Sequence, residues 1–217
     1  LNRSSDLTVC RKGSVRIKDK WASLIGGKSL IERKIDTLNS CLEIDEVVVG
    51  TNISQIEMLC QTKEVKHLWR DEYFCDESRC SANEMIYDMC SKVDTDIVVW
   101  AHCTNPLVKS KTYDDSIKMF LENEKRGFDS LISAQIVTGH LWTSDRRPIN
   151  YNPYGKRHTL AKDADYIYEI DGAIYIQRLD NFLSNKNFLG DKPYFYETKR
   201  TESIDINEII DLQMANF

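Results

Sequence analysis

Short β-branched runs alternate with longer amphipathic stretches through the first two thirds of the chain. This alternation predicts strand-helix-strand units, in which parallel strands build one sheet and the helices cover its faces. The predicted strands are Leu7–Cys10, Glu46–Gly50, Lys66–Trp69, Asp96–His102 and Asp129–Ala134. We therefore predict an α/β fold with one mostly parallel, Rossmann-like sheet flanked by helices.

Three segments between these strands carry apolar residues at helical spacing. Ser29 stands where a helix cap is expected, ahead of the first segment. Ser81 and Glu84 have capping-box spacing ahead of the second, and the third runs over Ser110–Glu124. We expect these helices to cross over between parallel strands.

The pattern breaks into polar and turn residues at about residues 139–168. An irregular insertion of this length is typical of a lid, a binding loop or an oligomerisation arm, with a plain surface loop as the alternative. After it, Gly172–Ile176 is a predicted strand and Asp180–Leu183 a predicted short helix. The chain closes on the run Ser203–Asn207 and a helical segment near Asp211.

The composition favours one globular unit over the 217 residues, of which 41% are hydrophobic. The formal net charge is −5, with acidic and basic residues mixed along the chain, so we do not expect a nucleic-acid partner. The seven cysteines are an odd, scattered set, which favours a reducing cytoplasm. No apolar run reaches the length of a membrane span and no signal-peptide pattern occurs, so we expect a cytoplasmic protein that does not enter a membrane.

The most distinctive chemistry follows the first predicted strand, where five of residues 11–20 are basic: Arg11, Lys12, Arg16, Lys18 and Lys20. Loops at the carboxyl ends of parallel strands are where such sheets bind ligands. Gly13 allows backbone amides to approach a phosphate closely, and the arginine and lysine side chains can hold a triphosphate. A solvated basic loop is the alternative that composition leaves open. The segment lacks the Gly-Lys-Ser/Thr signature of a P-loop.

Six short motifs follow one another along nearly the whole chain. They are Cys10–Ser14 with Lys20–Trp21, then Gly27–Ile31, Glu46–Asn52, Cys103–Leu107, Asp171–Tyr175 and Ile204–Asn207. In this order they resemble the CMP-sialic acid and CMP-Kdo synthetases, the acylneuraminate cytidylyltransferase-like enzymes that activate acidic sugars. Each motif alone has little specificity, whereas six in the same order are specific.

The resemblance implies a nucleotide-diphospho-sugar transferase-like fold and a nucleotidyltransferase reaction. CTP and a small acidic acceptor, such as a sialic- or Kdo-type acid, would give a CMP conjugate and pyrophosphate. The reaction would use Mg²⁺, and the enzyme would be a homodimer whose insertion crosses to the partner subunit.

The resemblance also implies roles for individual residues. Arg11, Ser14 and Lys20 match positions that bind the CTP phosphates, and Arg11 and Lys20 are the expected catalytic cations. Arg70 and Ser81 match positions near the base and ribose. The remaining candidates are Lys12, Gly13, Arg16 and His102 for the nucleotide, Asp205 and Asn207 for the metal ion, and Glu169 and Tyr175 for the acceptor.

Two departures from the family pattern concern the nucleotide. Val15 stands where the family has a lysine of the phosphate loop, and the neighbouring Arg16 can supply the missing cation. His102 stands where the family has a glutamine that faces the cytosine, and one end of an imidazole cannot donate and accept at once, as an amide does. Base recognition would therefore change. The alternative is a strand-end histidine packed beside Trp100.

Two further departures concern the metal ion and the acceptor. Asn207 replaces the second aspartate of the family's magnesium pair, so one formal charge is lost while a carbonyl oxygen stays. Asp205, the remaining carboxylate, is by itself also typical of a turn or a cap. Glu169 stands where a sialic acid synthetase has an arginine, and a carboxylate there would repel an acidic sugar unless it faces a hydroxyl or an amine.

These departures leave two alternatives open. The first is a cytidylyltransferase for a phosphonate or another small acid. The second, from a different class, is a catalytically silent protein that still binds a nucleotide. No residue of the sequence stands out as a general base.

We predict that the cations of the basic loop contribute unequally to catalysis. Arg11→Ala or Lys20→Ala should abolish turnover, and Arg16→Ala should lower it more than Lys12→Ala, because the first two match phosphate-binding positions and Arg16 substitutes for the missing lysine. Pyrophosphate release in the presence of CTP measures all four. Equal, mild effects would show that the loop is only a basic surface.

Overall fold

The computed structural model describes residues 3–14 and 16–217. The strands within these ranges are β1 (Ser4–Val9), β2 (Leu24–Ile25), β3 (Lys28–Ser29), β4 (Glu46–Thr51), β5 (Lys66–Trp69), β6 (Ile97–Ala101), β7 (Ser130–Val137), β8 (Ile167–Arg178) and β9 (Pro193–Glu197). The helices are α1 (Leu30–Asn39), α2 (Ser54–Thr62), α3 (Ala82–Cys90), α4 (Ser110–Glu124), α5 (Leu179–Asn185) and α6 (Ile209–Ala215).

Seven strands of the described chain form one sheet in the order β5-β4-β1-β6-β8-β7-β9. β8 runs antiparallel to both of its neighbours, whereas the pairs β1–β4, β1–β6, β4–β5 and β7–β9 are parallel. The predicted mostly parallel sheet flanked by helices is confirmed. Because β5, β4, β1 and β6 point the same way, the loops after them meet at one edge of the sheet.

The elements of the first two thirds agree with the sequence pattern. All five predicted strands form, and β1 begins earlier than predicted, at Ser4. The Ser29 hydroxyl accepts a hydrogen bond from the Glu32 amide at 3.2 Å, which begins α1. Ser81 and Glu84 form the predicted capping box of α3, and the bounds of α4 are those predicted.

The last third differs more from the prediction. The predicted strand Gly172–Ile176 is only the middle of β8, which already begins at Ile167 and includes the last two residues of the predicted insertion. β9 was not predicted, because its aromatic run lies at a sheet edge with one neighbour, β7. A register shift between Ile132 and Ala134 bends the β7–β8 pair where Gly172 has a φ of 72°.

Apolar side chains cover both faces of the sheet. One face of β1, β4 and β6 packs on α1, α2 and α4, and the other face packs on α3 and α5. Trp100 of β6 is fully buried on the second face, with its ring 5.1 Å from that of Phe188 and 6.3 Å from that of Phe182. This aromatic cluster holds the segment after α5 against the end of β6.

The first face contains a buried pair of ionisable groups. Lys34 of α1 is 1% exposed and Asp6 of β1 is 0% exposed. The Lys34 ammonium donates to the backbone oxygen of Asn105 at 2.9 Å and to the Tyr113 hydroxyl. The Asp6 oxygens have no hydrogen-bond partner among the described residues. Burial lowers the pKa of Lys34 to about 8 and raises the pKa of Asp6 well above its usual range, and the attraction between the two charges opposes both shifts.

The insertion covers little apolar core. Its exposed large hydrophobic residues are Trp142, Ile149, Tyr154, Leu160, Tyr166 and Tyr168. Its predicted role as a lid or dimer arm stays a prediction. In the described ranges, the helices are too short or too polar to traverse a bilayer.

We predict that Lys34→Met destabilises the fold by about 1–3 kcal/mol, because the buried Asn105 oxygen and Tyr113 hydroxyl lose their donor and Asp6 loses the attraction of the ammonium. Urea unfolding measures this loss. The double variant Asp6→Leu/Lys34→Met should be more stable than Lys34→Met alone, since the unpaired buried acid is also gone. Additive losses from the two substitutions would contradict an interaction between Asp6 and Lys34.

Candidate active site

A cavity of about 400 Å³ opens at the carboxyl end of β1. Its wall is built from the residues that follow β1, β5 and β6 and from the start of α3. Six of the predicted nucleotide-binding residues line it: Arg11, Ser14, Lys20, Arg70, Ser81 and His102. The sheet therefore brings together residues that the sequence separates widely.

Arg11 begins the basic loop and is already paired in this structure. Its guanidinium lies 2.7 Å from a carboxylate oxygen of Glu77, another residue of the cavity wall, and also donates to the Gly13 backbone oxygen at 3.4 Å. The Arg11 side chain is 22% exposed and that of Glu77 is 79% exposed. An incoming anion can therefore reach this ion pair and compete with Glu77 for the guanidinium.

The rest of the loop is shaped by its backbone. The Lys12 amide donates to the side-chain oxygen of Asn52 at 3.1 Å, which ties the loop to the end of β4. Gly13 has a φ of 78°, in the left-handed region that favours glycine. Neither Lys12 nor Gly13 is part of the described cavity wall. Val15, the departure noted above, lies outside the described residues.

Arg16 is hydrogen bonded to one candidate metal ligand, Asn207, which in turn is hydrogen bonded to the other, Asp205. Its guanidinium donates to the side-chain oxygen of Asn207 at 2.7 Å, and the Asn207 amide nitrogen donates to Oδ2 of Asp205 at 2.6 Å. A guanidinium only donates and a carboxylate only accepts, so this orientation of the Asn207 amide satisfies both neighbours. The backbone holds this segment in place, because the Ile206 amide donates to the Thr104 oxygen at 2.8 Å.

These contacts decide which residues fit a magnesium ion. Oδ1 of Asp205 is buried and has no partner among the described residues, which suits a ligand to a hard cation. The Asn207 oxygen faces Arg16 instead, so it does not fit a metal ion in this arrangement. The described chain holds no cluster of three or more His, Cys, Asp or Glu side chains that could bind a metal ion. Asp205 alone therefore suits a magnesium ion whose other ligands are phosphate oxygens and water.

Lys20 follows the loop in a short 3₁₀ turn over Lys20–Ala22. Burial lowers its pKa, the negative charge of Asp205 raises it, and the positive charge of Arg16 lowers it. Lys20 thus lies in the same electrostatic environment as Asp205 and Arg16. A bound anion would stabilise the charged ammonium, which burial deprives of water.

Arg70 and Ser81 line the cavity, but their side chains are hydrogen bonded to other residues of the chain. Arg70 is 3% exposed and donates to the backbone oxygen of Phe74 at 2.6 Å and, at 3.5 Å, to that of Cys10. The Ser81 hydroxyl donates to the Glu84 carboxylate at 2.7 Å and caps α3. Both residues set the shape of the cavity, and their predicted contact with base and ribose stays a prediction.

His102 lies at the end of β6, on the side of the cavity next to β8. Its Nδ1 is 2.8 Å from the Gly172 backbone oxygen, and its ring makes edge contacts with the rings of Tyr175 and Phe188, with centroids 5.8 Å away in both cases. The Tyr175 ring stacks on Phe188 at 4.6 Å, and burial raises the pKa of Tyr175 to about 12. His102 also packs on Phe188 of the Trp100 cluster. It therefore lines the cavity, as one interpretation of the sequence predicted, and packs beside the Trp100 cluster, as the alternative predicted.

Glu169 is not brought to the cavity. It is exposed on β8, opposite Gln135 of β7. Conversely, the cavity wall includes Phe74, Glu77 and Met85, which the sequence did not single out. These three lie between β5 and the middle of α3, where nothing in the sequence distinguishes wall residues from ordinary loop and helix residues.

Comparison with solved structures finds the same fold in other proteins. A CMP:2-keto-3-deoxy-manno-octonic acid synthetase complexed with CTP superposes with a TM-score of 0.70 at 14% identity, covering 99% of this chain and 97% of the other. The 4-diphosphocytidyl-2C-methyl-D-erythritol synthase of Anaerococcus prevotii gives a TM-score of 0.68 at 14% identity, with 99% and 95% covered. At these identities the likeness shows the fold.

Sequence comparison gives the family. An N-acylneuraminate cytidylyltransferase of Streptococcus agalactiae is 22% identical over 204 residues, which are 91% of this chain and 48% of the relative. One of Escherichia coli is 21% identical over 214 residues, 94% of this chain and 49% of the relative. The chain thus spans about half the length of these curated relatives. The family model described as cytidylyltransferase matches residues 8–214, and the chain belongs to the cytidylyltransferase family.

Proposed function

We propose that this chain transfers the CMP group of CTP to an oxygen of a small acidic acceptor and releases pyrophosphate. The observation that carries the proposal is the cavity at the end of β1, where Arg11, Ser14 and Lys20 of the family-like loop share one wall. The match to the cytidylyltransferase model supports this transfer chemistry. The names of the relatives, which specify N-acylneuraminate and a keto-deoxy-octonic acid, support an acidic sugar as the acceptor.

The basic residues would act on the charge that develops during transfer. When the acceptor oxygen bonds to the α-phosphorus, the bond from that phosphorus to the bridging oxygen breaks and negative charge grows on the leaving pyrophosphate. Cations fixed beside these oxygens stabilise the transition state more than the bound substrate. Arg11 and Lys20 line the cavity and are the cations that we assign to this task.

Arg16 has a different place in the proposal. It is hydrogen bonded to Asn207 and carries its charge next to the Asp205 segment. It therefore adds a positive charge beside Asp205, where the resembled enzymes have a second aspartate on the metal. Arg16 is the cation that we assign in place of the phosphate-loop lysine missing at Val15.

Magnesium is part of the proposal, with Asp205 as the side chain that would hold it. When bound, the ion would neutralise phosphate oxygens and favour departure of pyrophosphate. The buried, unpartnered Oδ1 of Asp205 supports this assignment. Asn207 would orient the Asp205 carboxylate through its amide nitrogen rather than bind the ion.

The sequence argument against an acidic sugar is weakened by the position of Glu169. Its carboxylate is exposed on β8 and is not part of the described cavity wall. Repulsion between Glu169 and an acidic acceptor in this cavity is therefore not expected. A phosphonate acceptor and a catalytically silent binding protein are outcomes of the test below.

We expect pyrophosphate release from CTP and magnesium with at least one acceptor from a panel of N-acetylneuraminate, a Kdo-type acid and a simple phosphonate. Chelation of magnesium should abolish it, and Asp205→Asn should lower it at least 100-fold, because the proposed ligand loses its charge. CTP at about a hundred times its dissociation constant should also stabilise the protein by about 2.7 kcal/mol.

The outcomes of this assay separate the candidates. Turnover only with the phosphonate would replace the acidic sugar, and stabilisation by CTP without turnover would favour the silent binding protein. No stabilisation with CTP, GTP, ATP or UTP would overturn the nucleotide assignment.

We predict that Glu77→Gln tightens CTP binding about two- to fivefold, since an exposed ion pair is worth up to about 1 kcal/mol and its carboxylate competes with the triphosphate for Arg11. Isothermal titration calorimetry at low salt measures the change. Glu72→Gln is the matched control, because it removes the same charge from an exposed residue of the same segment that has no contact with Arg11. Equal effects of both variants would contradict a direct competition.

A further inference from the structure

One ring nitrogen of His102 is hydrogen bonded to the backbone, and the other has no partner. A carbonyl oxygen can only accept a hydrogen bond, so the 2.8 Å contact with the Gly172 oxygen requires the hydrogen on Nδ1. The neutral ring then carries a lone pair on Nε2. Among the described residues Nε2 has no hydrogen-bond partner. It is also not one of the unpartnered polar atoms that are fully buried, so it is accessible to solvent. His102 lines the cavity, so this lone pair is available to a ligand there.

The surroundings hold the ring in one orientation. The bond to Gly172 fixes one edge, and the rings of Tyr175 and Phe188 contact the imidazole at interplanar angles of 65° and 90°. Gly172 lies at the bend of β8, where its φ of 72° turns the carbonyl-bearing segment toward β6. The bend therefore holds the imidazole in the orientation in which Nε2 is left for the cavity.

The charges around His102 favour a neutral ring at rest. Burial lowers the pKa of His102, and the ammonium of Lys34 lowers it too, whereas Asp205 and the Gly172 carbonyl raise it. The charged residues of the described cavity wall are Arg11, Lys20, Arg70 and Glu77. The net direction of the pKa is downward, so the ring is neutral at rest and its Nε2 can accept a proton at neutral pH.

The other titratable groups of the wall are poorer proton acceptors. Glu77 is ion paired to Arg11 and lies mostly in solvent. The four cysteine thiols of the wall all have pKa values raised by burial, so they stay protonated at neutral pH. Arg11, Lys20 and Arg70 are cations that cannot take up a proton. Within the described wall, His102 combines a free lone pair with a neutral resting state.

We propose that His102 is the general base of the transfer and that the acceptor therefore attacks through a hydroxyl group. Nε2 takes the hydroxyl proton while the oxygen bonds to the α-phosphorus of CTP. The bond to the bridging oxygen breaks, and pyrophosphate leaves with its electron pair. The imidazolium later returns the proton to water. An acceptor that attacks through an ionised phosphonate oxygen has no proton to lose and needs no such base.

This inference rests on the proposed function and names the reacting group of its acceptor. The test compares wild type with His102→Gln, whose amide keeps a hydrogen-bonding side chain but does not take up a proton at neutral pH. The assay measures kcat between pH 5 and 9 with CTP, magnesium and N-acetylneuraminate or the Kdo-type acid, whichever turns over faster. His67→Gln is the matched control, since His67 lies on β5 and is not part of the described cavity wall.

We expect kcat of the wild type to fall as the pH drops through the His102 pKa, below about 6.5, the ordinary value for histidine. His102→Gln should lower kcat about 100- to 1,000-fold and remove this acid limb, a typical size for general base catalysis. The dissociation constant of CTP should change less than twofold. His67→Gln should keep the wild-type profile.

Two results would overturn the role of His102 while the proposed function stands. One is a His102→Gln enzyme with near-normal kcat and an unchanged acid limb. The other is a CTP affinity that falls tenfold or more with the acid limb retained, which would place His102 on the cytosine. Absence of turnover by the wild type would overturn the proposed function, and this inference with it.

A measurement on the wild-type protein covers the case in which the variant does not fold. Nitrogen-15 NMR of labelled histidines at pH 7.5 should show His102 as a neutral ring with hydrogen on Nδ1. A ring protonated on Nε2 would overturn the proposal whatever the variants do.

Discussion

Parallel pairing of β1 with β4 and β6 is the constraint on which the rest of the molecule depends. Parallel strands need crossover connections. The chain therefore leaves each strand at the same edge of the sheet and returns to the other edge through a helix that packs on one face. Here the residues after β1, β5 and β6 are consequently neighbours around one cavity. The cations of the basic loop become a site only because the ends of β5 and β6 provide the other walls.

At that edge three cations of the basic loop already have partners within the chain. Arg11 contacts Glu77, Arg16 contacts Asn207, and Lys20 interacts electrostatically with Asp205. The carboxylates of Glu77 and Asp205 limit the repulsion between these cations. The Arg11–Glu77 contact is also exchangeable, because both side chains are partly in solvent. Under the proposed function, the triphosphate would replace Glu77 at Arg11 rather than fill an unpaired basic patch.

The reversed strand β8 supplies the second half of the site. It lies between β6 and β7 and runs against both, with a bend at Gly172. Asp171 stabilises this bend, because its carboxylate accepts hydrogen bonds from the Ala173 amide at 3.0 Å and from the Thr198 hydroxyl. The bend brings the Gly172 carbonyl to His102, so a feature of sheet register decides the hydrogen-bonding state of a ring in the cavity.

The sequence by itself determined the fold class, the five strands of the first two thirds, the capped helices and the basic loop, because periodicity, caps and glycine act over a few residues. It did not determine β9, the length of β8 or the cavity wall, since pairing at a sheet edge depends on distant strands. The Arg16–Asn207 contact joins residues 191 apart in the chain, and the His102–Gly172 contact joins residues 70 apart. Contacts at such separations exist only after the chain has folded. The tertiary structure alone therefore decided that Asn207 faces an arginine, that Glu169 faces solvent and that His102 keeps a free nitrogen in the cavity.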